Sequence, residues 1–234
     1  MSKIVVYTCI TNEKDLLRDP AYVDKNVDYV CYTDTAFKYK KKLWNIVEIP
    51  KLEKRDYVSQ AKYSKYYRIM SHKLKELNDY DISLYIDGSI KITESIIPLI
   101  DELKDGRMMA CSHNRKGGLY AEIDACISNG KDRKDVLEYQ RKAYKARGYP
   151  KNNENLWALK FLVRKNKDDL VNRFNEIWYQ HIVKYSNRAQ IGFPYVVWKL
   201  GIKVKEPGTV RFTGGHTRYF FGHKHLTKSI VGKQ

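Results

Sequence analysis

The stretch YDISLYIDGSIKI, Tyr80 to Ile92, sets a carboxylate, Asp87, at the end of an apolar run. An ionised Asp in apolar surroundings is costly unless something pairs with it. Gly88 and Ser89 follow, and the three residues read as a tight turn after a buried strand. Gly88 would permit a backbone conformation that other residues resist. Such a turn aims the Asp87 carboxylate, and the Ser89 hydroxyl with it, into a cleft. A carboxylate so placed can hold Mg²⁺ or Mn²⁺, which in turn binds a diphosphate. The plainer reading is an Asp that starts a turn or caps a helix.

Several familiar chemistries are missing. There is no G-x-x-x-x-G-K-[ST] loop, no G-x-G-x-x-G after the first strand and no G-x-S-x-G elbow. Cys9, Cys31, Cys111 and Cys126 lack C-x-x-C spacing. A zinc site or disulfide framework is therefore not expected, and a reducing compartment fits. The first apolar run, IVVYTCI, is too short for a signal peptide, and no stretch has the length of a bilayer span. A cytoplasmic chain, with peripheral contact to anionic lipid open to it, is the expectation.

Lys and Arg number 44 against 27 Asp and Glu, a formal charge of +17, which calls for a partner with negative charge or simply keeps the chain soluble. The basic residues are spread along the chain, without a basic tail, an Arg-rich arm or zinc-finger spacing. At 43% hydrophobic residues over 234 positions, the chain can bury a sizeable core. Most of its 19 tyrosines should be packing.

The elements that must position these residues are legible in outline. Lys3 to Ile10, Asp28 to Asp34 and Trp44 to Ile49 are near-continuous β-branched or aromatic runs. They predict parallel strands covered on both faces. Tyr63, Tyr66, Met70, Leu74 and Leu77 recur at helical spacing, with Lys62, Lys65, Arg68, Lys73 and Lys75 opposite. ISLYI predicts a strand ending at Asp87, and RMMACSH another. Thr93 reads as the N-cap of a helix that closes near Gly106. Helical periodicity covers Asp132 to Arg147, and LWALKFLVR alternates like a strand. Leu170, Phe174, Ile177, Trp178, His181 and Tyr185 form a helical stripe that reads as core, and a further helix ends at Gly201. Strands alternating with helices indicate an α/β domain with ligands beyond the carboxyl ends of its strands. Thr8, Asp34, Asp87 and His113 all fall at or near such ends.

The order of segments resembles the GT-A class of nucleotide-sugar glycosyltransferases. More specifically it resembles the plant mucilage-type glycosyltransferase-like family, which also has bacterial and large-virus members. The resemblance runs from about Lys3 to Leu200 and rests on VVYTCITN, DYVCYTD, KYYRIMSHK, YDISLYIDGSIKI, SHNRKGGLYAE, YQRKAYKARGYP and NRAQIGFPYVVWKL. It implies a mixed, mostly parallel GT-A-like sheet flanked by helices, in a single domain over residues 1–234. Residues 1–112 would form the nucleotide-sugar donor half, 113–205 the acceptor half and 206–234 a tail.

By that resemblance, Thr8 and Asn12 would lie beside the base and ribose, and Asp34 would accept a hydrogen bond from the base. Lys65 and Arg68 would face the phosphates, with the two cations exchanged relative to the family's R-Y-Y-K. Asp87 would take the first place of a D-x-D-like motif that holds ribose and a Mn²⁺ or Mg²⁺ ion, with Ser89 in the second place. The diphosphate leaves with growing negative charge, which a metal or fixed cations must stabilise, with Lys65, Arg68 and Arg115 as candidates.

Glu122 could deprotonate an acceptor hydroxyl, position the acceptor, or cap the following helix. His113 is as well a structural histidine as a substrate contact. Arg188-Ala189-Gln190 matches the family's R-D-Q in part, and Gln190 stays available for sugar hydroxyls beside Arg188. His216, flanked by glycine, would complete a metal site.

The activity so implied moves a sugar from a nucleoside-diphosphate donor, UDP first and GDP second, to a hydroxyl of a glycan or glycoconjugate. Two rivals stand beside it. One is a non-catalytic nucleic-acid binder whose interleaved KYSKYYR stacks on bases. The other is a degenerate member with a scaffolding role, to which Ser89 and Ala189 point.

Overall fold

The apolar runs become the centre of a seven-stranded sheet. Its strands are β1 (Ile4–Ile10), β2 (Val27–Thr33), β3 (Asn45–Glu48), β4 (Ile82–Ile86), β6 (Met108–Ser112), β7 (Trp157–Lys165) and β8 (Val204–Lys205). The computed structural model describes residues 2–39, 43–53, 56–208 and 217–226. Strand order is β3-β2-β1-β4-β7-β6-β8. The first four strands are parallel, β7 runs antiparallel between β4 and β6, and β8 is parallel to β6. The mixed, mostly parallel sheet expected from the sequence is present.

Alternation along the strands divides the core. Val5, Tyr7, Val30, Tyr32 and Tyr85 face one way, into a cluster with Phe174, Trp178 and Phe193. The helices on that side are α1 (Tyr57–Ile69), α3 (Gly118–Ser128), α4 (Lys134–Ala146), α5 (Asp169–Lys184) and α6 (Ala189–Leu200). The α5 stripe is core, as expected, with Phe174 and Trp178 fully buried. Val6, Ile10, Tyr29, Cys31, Leu84 and Ile86 face the other way. They are covered by α2 (Ile97–Asp101) and a two-stranded ribbon, β5 (Ile90–Ile92) with β9 (Phe220–Gly222).

Two helix boundaries depart from the sequence reading. The basic helix ends at Ile69 rather than Leu77, and 3₁₀ turns carry Leu74 and Leu77 into the core. The cause lies in distant strands. Tyr7 Oη donates to the Arg68 carbonyl at 2.8 Å, and Arg164 donates to the same carbonyl at 2.9 Å and to that of Ile69 at 2.7 Å. Side chains thus satisfy helix-end carbonyls that further α-helix would have used. Thr93 does not cap a helix: its hydroxyl donates to the Arg218 carbonyl at 2.9 Å. The start of α2 is capped by Asp24, which accepts from the Ile96 amide at 2.9 Å and the Ser95 hydroxyl at 2.6 Å.

Candidate active site

Asp87 follows β4 directly, in a turn closed by the Ile90 amide on the Asp87 carbonyl at 2.8 Å. The glycine beside it is needed for space rather than for an unusual φ. Gly88 is absent from the residues with positive φ, but a Cβ there would meet Ile10 Cγ1 at 2.7 Å and Asp15 at 3.2 Å. The turn is pressed onto the end of β1 and the loop after it.

The carboxylate has definite partners. Asp87 Oδ1 accepts from Tyr85 Oη at 3.0 Å and faces Arg68 Nη1 at 3.3 Å. Arg68 lies over the Tyr85 ring, 4.9 Å from its centroid, and also donates to the Leu159 carbonyl. Its guanidinium is therefore held in one place, and its main chain is anchored from beneath by Tyr7 and Arg164.

One turn earlier on α1, half-buried Lys65 donates to the Ala61 carbonyl at 3.3 Å. Burial, and then the nearby charges of Arg68, Arg188 and Lys14, push its pKa down to about 7, against the pull of Asp87. The charges of Arg68, Arg188 and Lys14 thus reach Lys65 at the carboxyl ends of β1 and β4, where Arg68 also pairs with Asp87. Arg188, at the N-cap of α6, stands between the two groups: its charge acts on Lys65, and its side chain also meets Cys126, the partner of Glu122. Lys14 comes from the loop after β1. The sequence offers no mark that would have singled it out.

Asp34 is buried, and both its carboxylate oxygens accept from the Asn12 amide, at 2.9 and 3.2 Å. That bond holds Asn12 at φ 52°, in the left-handed region. Asn12 is exposed, whereas Thr8 is buried with its hydroxyl unpartnered.

A second group stands on the β6–α3 side. The loop after β6 turns back so that His113 Nδ1 accepts from the Arg115 amide at 2.9 Å. Burial lowers the His113 pKa. Glu122 sits inside α3 and does not cap it. Its Oε2 pairs with Arg115 Nε at 2.9 Å, and Oε1 accepts from Cys126 Sγ at 3.4 Å. Glu122 is 5% exposed. Gln190 is held by the Trp157 carbonyl at 3.1 Å.

The tail closes the other side of the Asp87 turn. The His223 amide donates to the Ser89 carbonyl at 2.7 Å, the Leu226 amide to the Lys14 carbonyl at 3.0 Å, and His225 Nδ1 meets Asp15 at 2.7 Å. His216 lies outside the described residues.

A family profile decides what kind of domain this is. That of the TOD1/MUCI70 glycosyltransferase-like domain matches residues 1–218. The chain belongs to this family. It is a glycosyltransferase-like domain, built on a mixed, mostly parallel sheet flanked by helices. No curated protein sequence matches the chain.

Solved structures similar to the chain include two glycosyltransferases. One is described as the WbbM bifunctional glycosyltransferase in its apo form, 12% identical with a TM-score of 0.48, covering 87% of this chain. The match takes in 39% of that protein, so this chain spans about two fifths of its length. The other is the galactosyltransferase LgtC in complex with donor and acceptor sugar analogs, 13% identical with a TM-score of 0.44, covering 87% of this chain and 72% of that one.

The divalent metal expected from the resemblance fits these residues poorly. Mg²⁺ takes about six oxygen ligands, one or two of them protein carboxylates and the rest phosphate oxygens and water. Asp87 Oδ1 is already engaged by Tyr85 and Arg68, and Ser89, a poor ligand, is 5% exposed. Among the described residues no three His, Cys, Asp or Glu side chains converge to hold a metal ion.

Base stacking by KYSKYYR also finds little support. Tyr63, Tyr66 and Tyr67 are half-buried and pack edge-to-face on one another, and Tyr67 stacks on Tyr32.

Proposed function

We propose that this chain transfers a sugar from a nucleoside-diphosphate sugar, with UDP the first choice and GDP the second, to a hydroxyl of a glycan or glycoconjugate. The observation that carries the reading is Lys65 with the charges of Arg68, Arg188 and Lys14 reaching it at the carboxyl ends of β1 and β4, where Arg68 pairs with Asp87. An α/β sheet binds ligands at that edge. A departing diphosphate needs preorganised positive charge at that place.

In the reaction the anomeric carbon exchanges its bond to the diphosphate oxygen for one to the acceptor oxygen, and the acceptor's proton is released. Asn12, with Asp34 fixing its backbone, would border the base and ribose. Asp87 would orient the donor sugar, and Lys65 and Arg68 would face the diphosphate. The β6–α3 loop with His113 and Arg115, together with Gln190, would border the acceptor. Glu122 would act through Arg115. The pair holds that loop, and reaching an acceptor hydroxyl would require Glu122 to give up its partners. No helix among the described residues is long and apolar enough to cross a membrane. A cytoplasmic site of action, with the basic surface resting on anionic lipid, completes the reading.

The test is release of nucleoside diphosphate from a panel of UDP- and GDP-sugars, with and without sugar acceptors. Asp87→Asn should lower turnover by about a hundredfold or more while the far-UV spectrum is kept. A chain that binds oligonucleotides with steep salt dependence and turns over none of the donors would overturn the reading.

A further inference from the structure

We propose that the donor's diphosphate is held in this chain by protein cations, Lys65, Arg68, Arg188 and Lys14, without a divalent metal ion. The inference rests on the transferase reading and concerns the same site.

The first support is the charge inventory. Positive groups arrive from three separate places: α1, the start of α6 and the loop after β1. Asp87 offsets these charges at Lys65, and it pairs with Arg68. Among the described residues Lys14, Lys65 and Arg188 have no ion pair. Arg188 Nε is buried with no hydrogen-bond partner. Gathering like charges in a half-buried place is unfavourable, and an anion bound there relieves the repulsion. The depressed proton affinity of Lys65 comes first from burial and then from this repulsion.

The second support is rigidity. Arg68 is fixed by the Tyr85 ring, the Leu159 carbonyl and Asp87, and its carbonyl is held by Tyr7 and Arg164. A guanidinium so held offers a phosphate a fixed positive charge. The third is the poor fit of a metal. Asp87 and Ser89 are not joined by a third ligand among the described residues. Freed from a metal, Asp87 keeps Oδ2 to accept from a donor hydroxyl.

Calorimetric titration of the full chain with UDP and with GDP, in EDTA and in Mn²⁺, tests this. One nucleotide should bind with dissociation constants that agree within about threefold in the two conditions, a difference under 1 kcal/mol. Lys65→Met and Arg188→Met should each weaken binding in EDTA by about tenfold or more, as loss of a charged hydrogen bond does, with circular dichroism unchanged. Titration at about pH 8 in buffers of different ionisation enthalpy should show proton uptake that Lys65→Met abolishes. Binding that appears only with Mn²⁺ would overturn the metal-free cradle and leave the transferase reading standing. No binding of either nucleotide in both conditions would overturn the two together.

Discussion

Arg164, fully buried on β7, donates to the main-chain oxygen of Arg68, whose own guanidinium faces Asp87. A buried cation normally needs a carboxylate. Arg164 instead meets the carbonyl end of α1, the Tyr7 hydroxyl and Asn175 Oδ1. The negative end of the helix dipole serves in place of an acid. Arg164→Met keeps the volume and removes the donors, leaving the Ile69 carbonyl without its partner. It should lower stability by about 2–5 kcal/mol, read from urea unfolding. Because the same contact orients Arg68, nucleotide affinity should fall as well, at temperatures where the variant is folded.

The Asp87 turn makes a separate prediction. Gly88→Ala adds a methyl group 2.7 Å from Ile10 Cγ1. Overpacking of that kind costs about 1–3 kcal/mol. Its larger effect should be on turnover, because a turn pushed off Ile10 carries Asp87 away from Tyr85 and Arg68. A variant with wild-type turnover would show that Asp87 need not be held where it is.

These two cases mark what was legible in the sequence. Strands β1, β2 and β4 could be read because both their faces are buried, so their apolar character is continuous. Asp87 stood out because it breaks such a run. The end of α1 could not be read, since its capping donors, Tyr7 and Arg164, come from strands far away in the chain. Strand β9 is three residues long and pairs with Ile90–Ile92, a partner no local period reveals. The meeting of Lys14 and Arg188 with Lys65 depends wholly on chain folding. Gly88 is needed for space and not for the backbone freedom that its place in the sequence suggests. Its role is close packing against Ile10, which only the fold discloses.

The buried aromatic network between α4 and α5 should make the protein acid-sensitive. His181 Nδ1 lies 2.6 Å from Tyr144 Oη. Burial, and then the charges of Lys199, Arg147 and Lys184, push the His181 pKa down to about 4. An unfolded chain would protonate this group near its ordinary value of about 6.5. Between those values the unfolded state holds more protons, so stability falls as pH drops from about 6.5 through 4. Lys65 has the same sign in another window: its penalty is full below about pH 7 and lifts as pH rises towards its ordinary value. Urea midpoints across pH should therefore rise from acid to alkaline. His181→Gln should flatten the acid limb, and Lys65→Met the alkaline one.

Glu122 gives the prediction that separates two mechanisms. Its carboxylate holds Arg115 at 2.9 Å and is 5% exposed. A residue that positions the acceptor loop through Arg115 should, as Glu122→Gln, raise the acceptor KM by about tenfold, the worth of a weakened charged hydrogen bond. Donor hydrolysis to water, which needs no acceptor loop, should stay near wild type. A general base behaves differently: its removal lowers kcat by about 10²–10⁴ at saturating acceptor. Measuring KM and kcat together therefore assigns the residue. A fall in kcat alone would mean that the Arg115 pair opens during turnover and that Glu122 takes the acceptor's proton itself. The geometry favours the KM effect, because both carboxylate oxygens already have partners within the protein.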